Sequence, residues 1–361
     1  MIRPRRSLLF MPGSNPRALE KARNLPADGL ILDLEDSVAP EAKAGARDQI
    51  AQAIAAKGFG KREVLIRVNT LDSPWWIDDV AMAGQARPHG ILVPKISSVE
   101  DLVAIGARLG EIGADPSIQV WAMIETARAV LHAEELAAAS RGGCPRLAGF
   151  VFGPNDISRE TRIRMQPGRA AMLPLITHCI LATRAYGLEI LDGPYSDFSN
   201  TDGFGQECTQ ARDLGFDGKT LIHPGQIVAC NAIFTPPAEE VAHARKIIAA
   251  FERPENAARG AIQLDGRMVE RLHADMARRT LAMADAIAAS LAASNSKCSG
   301  WWTLLPAGAV PMVSVIAYLS TSPNTTSSDP MIATTSASIC RLPTTSIACR
   351  LAKPVGRILQ R

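Results

Sequence analysis

The sequence predicts an α/β fold, a (β/α)8 TIM barrel followed by a C-terminal helical appendage that forms a lid. Eight short apolar segments alternate with helix-like segments within the first 235 residues, which is the pattern of eight consecutive βα units. A doubly wound open sheet is the alternative. Its glycine fingerprint is missing after the first apolar segment, where the sequence reads MPGSNPR. The pattern therefore favours the closed barrel.

The predicted strands are short runs rich in Leu, Ile and Val, as expected of strands that are buried on both faces. The segments between them suit helices. Residues 42–57 are Ala-rich with apolar side chains at helical spacing, and residues 98–109 open with Ser and Glu as a capped helix does. The eight predicted strands span residues 7–11, 29–34, 63–69, 89–95, 119–125, 147–153, 187–193 and 216–222.

Two further regions follow the predicted barrel, which spans residues 1–235. Residues 236–293 begin with Pro236-Pro237 and contain two predicted helices, at 238–251 and 267–291, joined by a loop and the short extended piece GAIQLDG at 260–266. Residues 294–361 are a tail in which 19 of 68 residues are Ser or Thr. Such a composition is typical of disordered or non-native sequence.

The formal charge of +3 is unevenly distributed along the chain. The tail at 294–361 holds six basic residues and one acidic residue, which leaves 33 basic against 35 acidic residues in the remainder. A folded part that is slightly acidic argues against nucleic acid as a partner. The most apolar stretch, 304–319, contains two prolines and is shorter than the roughly 20 residues of a membrane span.

The seven cysteines form no CxxC or CxxH pair, so the sequence predicts neither a disulfide framework nor a zinc site. That usage suits a reducing compartment, and we expect a cytoplasmic protein.

In a barrel, functional groups gather at the carboxyl ends of the strands. Polar or charged residues end most of the predicted strands, and their joint placement at one rim predicts a functional site there. They are Glu35-Asp36 after strand 2, Arg67 and Asn69 in strand 3, Lys95 at the end of strand 4, Glu125 at the end of strand 5, Asn155-Asp156 after strand 6 and Asp192 in strand 7.

Glu125 and Asp156 are the candidate metal ligands. They follow neighbouring strands and have no His or Cys nearby, a donor set that suits Mg²⁺ rather than zinc. The alternative is that each carboxylate pairs structurally with a neighbouring Arg or Lys. Arg67 is placed to bind a carboxylate or a developing oxyanion, or to pair with Glu35 or Asp36.

Three other features carry weaker signals. The turn 153–156 can present backbone N–H groups to an anion. Lys95 is a candidate Schiff-base lysine, although nearby acids argue against that role. His223, in LIHPGQ, fits a packed or capping histidine better than a catalytic base.

Several motifs resemble the citrate lyase β-subunit-like family of CoA-ester lyases, within the HpcH/HpaI aldolase superfamily. The resemblance runs from about Ser7 to Ile287, with the motifs in family order. They are RSLLFMPGSNPRALEKA, GLILDLEDSV, LIRVN, GILVPKISS, WAMIETARAV, GFVFGPNDIS and KTLIHPGQI.

The resemblance implies a Mg²⁺-dependent enzyme that cleaves or forms the carbon–carbon bond of a 3-hydroxyacyl-CoA, with a CoA thioester and a 2-oxo acid as its small-molecule partners. It implies Glu125 and Asp156 as metal ligands, and Arg67 as the group that holds the substrate and stabilises the thioester enolate. Glu35 and Asp36 would support the metal ligands in catalysis.

The resemblance also bears on substrate binding. The turn at Gly153, Pro154 and Asn155 would receive the 2-oxo acid carboxylate. Arg17 and Lys21, at helical spacing after strand 1, are candidates for the CoA phosphates; the alternative is a solvated helix face.

One position departs from the family pattern. Malyl- and citramalyl-CoA lyases place an Asp in a GKMID stretch of the appendage, whereas this chain reads GRMVE with Glu270 at that position. Glu is one methylene longer, so a catalytic role for Glu270 is a hypothesis and a (3S)-malyl-CoA thioesterase is a credible alternative. A third possibility is the β subunit of a citrate lyase complex. Because such appendages often close the site of an adjacent subunit, the resemblance implies a homo-oligomer, a trimer or hexamer.

Overall fold

The computed structural model describes residues 2–295, and the predicted tail beyond them lies outside the described residues. Eight parallel strands close into a barrel in chain order, with β1 pairing with β8. All eight predicted strands are present, so the barrel prediction is confirmed. The strands are β1 (Ser7–Pro12), β2 (Gly29–Asp33), β3 (Glu63–Arg67), β4 (Gly90–Val93), β5 (Gln119–Ile124), β6 (Leu147–Phe152), β7 (Glu189–Asp192) and β8 (Gly218–Leu221).

The helices cover the outside of the barrel. Asn15 caps the first helix through a bond from Ala18 N, and Ser98 and Asp101 form a capping box at the fourth. The helices of the barrel are α1 (Pro16–Ala22), α2 (Lys43–Ala55), α3 (Trp76–Ala86), α4 (Val99–Glu111), α5 (Ala127–Leu131), α6 (Ala133–Ala138), α7 (Pro154–Thr161), α8 (Leu173–Ala185), α9 (Thr201–Leu214) and α10 (Ile227–Phe234).

Alternate residues of each strand face the inside and the outside of the barrel, as the pleat requires. The outward side chains pack against the helices in one large core. The inward ones form a separate cluster that fills the barrel, namely Leu8, Ile31, Leu65, Leu92, Trp121, Met123, Val151 and Leu191. The next inward position in β2 is Asp33 and in β3 is Arg67, so polar side chains begin directly above this apolar plug.

The amino-terminal end of the barrel is closed by an ion-pair network. Arg5 bonds to Glu63 and Glu189, and its guanidinium lies 5.0 Å from the centre of the buried Trp121 ring. The charges at the amino-terminal end are thus paired with one another. Polar groups that could bind a ligand are found instead at the carboxyl ends of the strands.

The appendage has a hydrophobic core of its own. It comprises α11 (Ala238–Phe251), a hairpin of β9 (Ala261–Leu264) and β10 (Arg267–Glu270), and α12 (Arg271–Asn295). The prediction of a helix over 267–291 was therefore wrong for its first four residues. The sequence Asp265-Gly266 has φ of 50° and 78°, the left-handed pair of a two-residue hairpin turn, which returns the chain as a strand.

Residue Arg279 of α12 bonds to Asp217 at 2.9 Å. Asp217 precedes β8, so this contact is made at the amino-terminal rim of the barrel. None of the helices within residues 2–295 is long and apolar enough to cross a membrane. The four cysteines of the described part of the chain are all free and buried.

Candidate active site at the carboxyl ends of the strands

A cavity of about 320 Å³ opens at the carboxyl ends of the strands. Its lining contains four carboxylates and a single cation, Arg67, so it carries an excess of negative charge. The remaining wall is apolar or backbone. The lining residues are Phe10, Asp33, Asp36, Ser37, Arg67, Met123, Glu125, Gly153, Pro154, Asn155, Asp156, Pro194 and Ile222.

Arg67 is held from below by Asp33, which was not among the site residues predicted from the sequence. Its Nε and Nη2 donate to the two Asp33 oxygens at 2.6 and 2.7 Å, and its guanidinium lies 4.8 Å from the Phe10 ring centre. Burial on its own would raise the pKa of Asp33, but the Arg67 guanidinium and nearby backbone N–H groups bring that pKa below its ordinary value. The pair fixes the orientation of Arg67, while a guanidinium has five N–H groups and so retains donors for the cavity.

The predicted acids Glu35 and Asp36 lie on the other side of Arg67. Nη1 is 2.8 Å from Glu35 Oε2, outside hydrogen-bond geometry, and 3.4 Å from Asp36 Oδ2. Burial raises the pKa of Glu35, and Arg67 and Lys95 oppose that rise. Both alternatives for Arg67 are thus met in part, since it pairs with these acids and still lines the cavity.

The backbone that carries Glu35 is anchored by a buried lysine. Lys43 Nζ donates to the carbonyl oxygens of Leu34 and Glu35 at 2.8 and 2.9 Å. These bonds satisfy two carbonyl groups that have left the β2 ladder, and they fix the start of the loop after the strand.

Glu125 is 3% exposed and faces the cavity from the end of β5. Its Oε1 accepts the backbone N–H of Lys95 at 2.8 Å, and Oε2 has no donor among the described residues. Burial, together with the negative charges of Glu35 and Asp156, raises the pKa of Glu125 to about 7. Gly153 is required beside it, because a Cβ at that position would lie 2.4 Å from the Glu125 Cβ.

Asp156 lies in the first turn of α7 and is paired with the exposed Arg159 at 2.7 Å. The turn before it offers fewer backbone donors than the sequence suggested. The Gly153 N–H already donates to Ile124 O at 2.9 Å, and Pro154 has no N–H. An anion at this turn can therefore be bound by the N–H groups of Asn155 and Asp156, which have no acceptor within the helix.

The residues present fit a hard divalent cation. Within residues 2–295, no group of three or more His, Cys, Asp or Glu side chains is arranged to coordinate a metal ion. Mg²⁺ does not require one, since it is typically held by one or two carboxylates and keeps several waters. Glu125 Oε2 lacks a donor among the described residues. Burial and the negative charges of Glu35 and Asp156 raise the pKa of Glu125, and a bound cation would favour its ionised form.

Other predicted residues lie away from the cavity lining. Arg17 and Lys21 are exposed on α1, and no ion pair of theirs is found among the described residues. Glu270 ends β10, where its N–H donates to His273 Nδ1 at 2.9 Å, so the cavity of its own chain does not contain it. Asp192 points out of the barrel, and its prediction as part of the mouth was wrong.

Two of the weaker candidates have structural roles. Lys95 is near Glu35, and the neighbouring acids raise the pKa of Lys95 although burial opposes them. A Schiff base needs a neutral amine, so this environment disfavours one. His223 Nδ1 accepts from Gly225 N at 3.1 Å and its ring stacks on Phe198, which agrees with the capping interpretation.

The fold and the cavity together define a class: a (β/α)8-barrel enzyme with an acid-lined site and one buried arginine at the carboxyl rim. A family model described as HpcH/HpaI aldolase/citrate lyase matches residues 6–224. The chain belongs to this family, as the sequence motifs predicted.

Two curated relatives and one solved structure illustrate what this chain is similar to. A (3S)-malyl-CoA thioesterase of Cereibacter sphaeroides is 45% identical over 286 residues, which covers 79% of this chain and 96% of the relative. An L-malyl-CoA/β-methylmalyl-CoA lyase of Cereibacter sphaeroides is 35% identical, covering 74% of this chain and 91% of the relative. The protein CitE of Mycobacterium tuberculosis, solved in complex with magnesium, acetoacetate and coenzyme A, is 26% identical with a TM-score of 0.62; the match covers 77% of this chain and 97% of that one.

Proposed function

We propose that this protein is a Mg²⁺-dependent lyase of a 3-hydroxyacyl-CoA of the malyl-, β-methylmalyl- or citramalyl-CoA type. The products would be acetyl- or propionyl-CoA and a 2-oxo acid. The observation that carries the proposal is that one cavity is lined by the carboxylates Glu125 and Asp156 and by the guanidinium of Arg67, which Asp33 orients. The malyl-CoA/β-methylmalyl-CoA lyase relative supports the choice of substrate class.

Cleavage of such a substrate leaves a thioester enolate, so the site must stabilise negative charge beside the thioester. Glu125 and Asp156 would hold Mg²⁺, which supplies Lewis-acid stabilisation of the substrate oxygens. Arg67, locked by Asp33, would donate to the enolate oxygen, and the N–H groups of Asn155 and Asp156 would orient the carboxylate of the 2-oxo acid. The apolar wall of Phe10 and Met123 would exclude water from the enolate.

A (3S)-malyl-CoA thioesterase is the second candidate, and the relative at 45% identity favours it. Both reactions use the same thioester but break different bonds. Carbon–carbon cleavage releases a 2-oxo acid and leaves the thioester intact, whereas hydrolysis releases a free thiol and malate. The two chemistries can therefore be distinguished in one reaction mixture.

The test is a panel of the three thioesters incubated with the full chain and Mg²⁺, with thiol and 2-oxo acid measured in parallel. A lyase yields 2-oxo acid in a 1:1 ratio with the acyl-CoA product and no free thiol. Free thiol without 2-oxo acid would transfer the assignment to the thioesterase. Absence of both products with all three thioesters would refute the proposal.

We further propose that Glu270 completes the site of a neighbouring copy in a homo-oligomer. Glu270 is outside its own cavity, and beside it an exposed apolar stripe runs through Met268, Leu272 and Met276, which are 70%, 52% and 64% exposed. At the barrel mouth, Ile222 and Phe198 are also exposed. A second copy that placed its hairpin on the mouth would cover both surfaces.

This arrangement predicts complementation between two inactive variants. Glu270→Gln and Asp156→Asn should each be inactive alone, and mixed oligomers should recover activity because some sites then contain both native residues. Light scattering measures the assembly state. A monomer at micromolar concentration, or no recovery in the mixture, would contradict the shared site.

A further inference from the structure

A group of four charged side chains, three of them buried and one partly buried, lies outside the barrel wall beside β7 and β8. Leu191 faces the barrel interior, so the next residue, Asp192, faces the helices. Asp192 accepts two bonds from Arg169 Nη1, at 2.8 and 3.0 Å, and one from Lys219 Nζ at 2.7 Å. Lys219 also donates to Glu207 at 2.8 Å. We call these residues the charge cluster: Arg169, Asp192, Glu207 and Lys219.

The charge cluster is neutral as a whole but expensive to bury. Asp192 and Lys219 are both 0% exposed, and replacement of buried ion pairs by apolar side chains is often neutral or stabilising. Burial on its own would raise the pKa of Asp192, but Lys219 and Arg169 bring it below the ordinary value, so the carboxylate is ionised. Stability alone is a weak reason for such a cluster, and none of its members lines the candidate active site.

The charge cluster is connected to the active site through Gly193. Asp192 Oδ1 accepts the N–H of Gly193 at 2.9 Å, and the Asp192 carbonyl oxygen accepts a bond from Thr220 Oγ1 at 3.1 Å. The peptide between Asp192 and Gly193 is thus held at both ends. Gly193 in turn lies against the turn 154–156: a Cβ built on it would be 2.1 Å from Pro154 Cδ and 2.4 Å from Phe152 O.

The packing of Gly193 against Pro154 lies just beyond the point where the pairing between β6 and β7 ends. The ladder between β6 and β7 ends at the pair Val151–Leu191, so no ladder bond fixes the later part of β6 on that side. Pro154 cannot donate a backbone bond at all. The close packing of Gly193 on Pro154 is therefore the restraint on this face of the turn that carries Asn155 and Asp156.

We propose that the charge cluster positions the turn 154–156, and with it the carboxylate of Asp156, by fixing Gly193 against Pro154. The members of the cluster are positioning residues, and none of them lines the 320 Å³ cavity of the candidate active site. This inference rests on the proposed function in assigning Mg²⁺ to Glu125 and Asp156. The position of the turn itself can be measured without the metal.

Three variants of the full chain and one control test the proposal. Gly193→Ala forces the turn away from Gly193. Glu207→Gln weakens the charge cluster at its most exposed member, and Thr220→Val removes one bond to Asp192 without changing side-chain shape. Gly205→Ala is the matched control, because a Cβ there meets nothing within 4 Å. If Gly193→Ala does not fold, the other two variants still decide the outcome.

Each protein is examined by isothermal titration with Mg²⁺, by hydrogen exchange of the peptide covering 153–161 and by thermal unfolding. We expect Mg²⁺ affinity to fall by about 10–100-fold in Gly193→Ala, the range typical of lost support behind a metal ligand, and by less in Glu207→Gln and Thr220→Val. Exchange at the turn should accelerate in all three variants and be unchanged in the control.

The two proposals fail in different ways. A wild-type chain that binds no Mg²⁺ refutes the metal assignment. Exchange at the turn that matches wild type in every folded variant refutes the positioning role, whether or not the wild type binds Mg²⁺. A lower melting temperature accompanied by unchanged exchange and affinity would mean that the cluster is structural, and would also overturn the proposal.

Discussion

The raised pKa of Glu125 predicts that Glu125→Gln stabilises the metal-free protein, and does so more at high pH. The variant removes a carboxylate that is buried and lies near the charges of Glu35 and Asp156, and the amide oxygen can still accept the N–H of Lys95. A native-state pKa above the unfolded value means that the native state binds the proton more tightly. That contribution to stability is complete below about pH 4.5 and is lost as the pH rises to about 7.

The magnitude follows from the two pKa values, 4.5 and about 7. Each unit of separation is worth about 1.36 kcal/mol. The raised pKa of Glu125 therefore lowers the stability of the native state, relative to an uncharged side chain, by on the order of 3 kcal/mol at pH 8 and about 1 kcal/mol at pH 5. The variant should gain these amounts relative to wild type, and the difference of about 2 kcal/mol between the two pH values corresponds to roughly 4–8 °C in Tm.

The assay is thermal unfolding in EDTA from pH 5 to pH 8, with the exposed Glu255→Gln as control. The Tm advantage of Glu125→Gln should grow with pH, and the control should follow wild type throughout. Mg²⁺ should stabilise wild type and leave Glu125→Gln unchanged, because binding to the native state adds RT ln(1 + [Mg²⁺]/Kd). A Tm advantage that is absent, or that is the same at pH 5 and pH 8, would show that the native state does not raise the pKa of Glu125.

Three further predictions concern the site and the tail. Asp156→Asn should reduce both Mg²⁺ affinity and turnover by about 100-fold or more with little change in Tm, and Glu160→Gln on the same helix should change neither. A large loss of stability with Mg²⁺ binding intact would contradict the ligand role. Arg67→Lys keeps the charge but loses the paired contact with Asp33, so kcat/KM should fall by about 10²–10³ and the free energy of unfolding by about 1–3 kcal/mol. A variant with unchanged kcat/KM would contradict the need for a guanidinium oriented by Asp33. Removal of residues 296–361 should leave Mg²⁺ affinity and turnover unchanged. A truncated chain with weaker Mg²⁺ binding in isothermal titration, or with slower turnover of the thioester, would assign the tail a function.

Much of the fold was predictable because its signals are local. Strands buried on both faces are short apolar runs, and Ser98 precedes its helix with the residues that cap it. The two-residue turn at Asp265-Gly266 was also a local signal, but the amphipathic pattern that follows it resembles the start of a helix. The hairpin became evident through the pairing of β10 with β9, which no sequence window contains.

The site was predictable where a polar residue directly follows an apolar strand, as Glu125 does. Asp33 was missed because the predicted strand 29–34 continued past it, so that Glu35 and Asp36 were assigned to the strand end, although the alternation from Ile31 places Asp33 on the inner face. Asp192 was assigned to the mouth for the converse reason: it ends a strand, but Leu191 occupies the inner face. Strand ends locate a residue along the barrel axis, whereas alternation decides whether it faces the cavity.

Closure of the barrel must also wait until most of the chain has been synthesised. The pairing of β1 with β8 joins Ser7 to Lys219, so the ring cannot close on the ribosome until more than 200 residues have emerged. Until then β1 presents an unpaired hydrogen-bonding edge, which is a template for association with other chains, and contacts of such long range form slowly. All acidic residues of the cavity are therefore synthesised before the barrel can close around them. A chaperone that shields the β1 edge would protect the nascent chain from association during this interval.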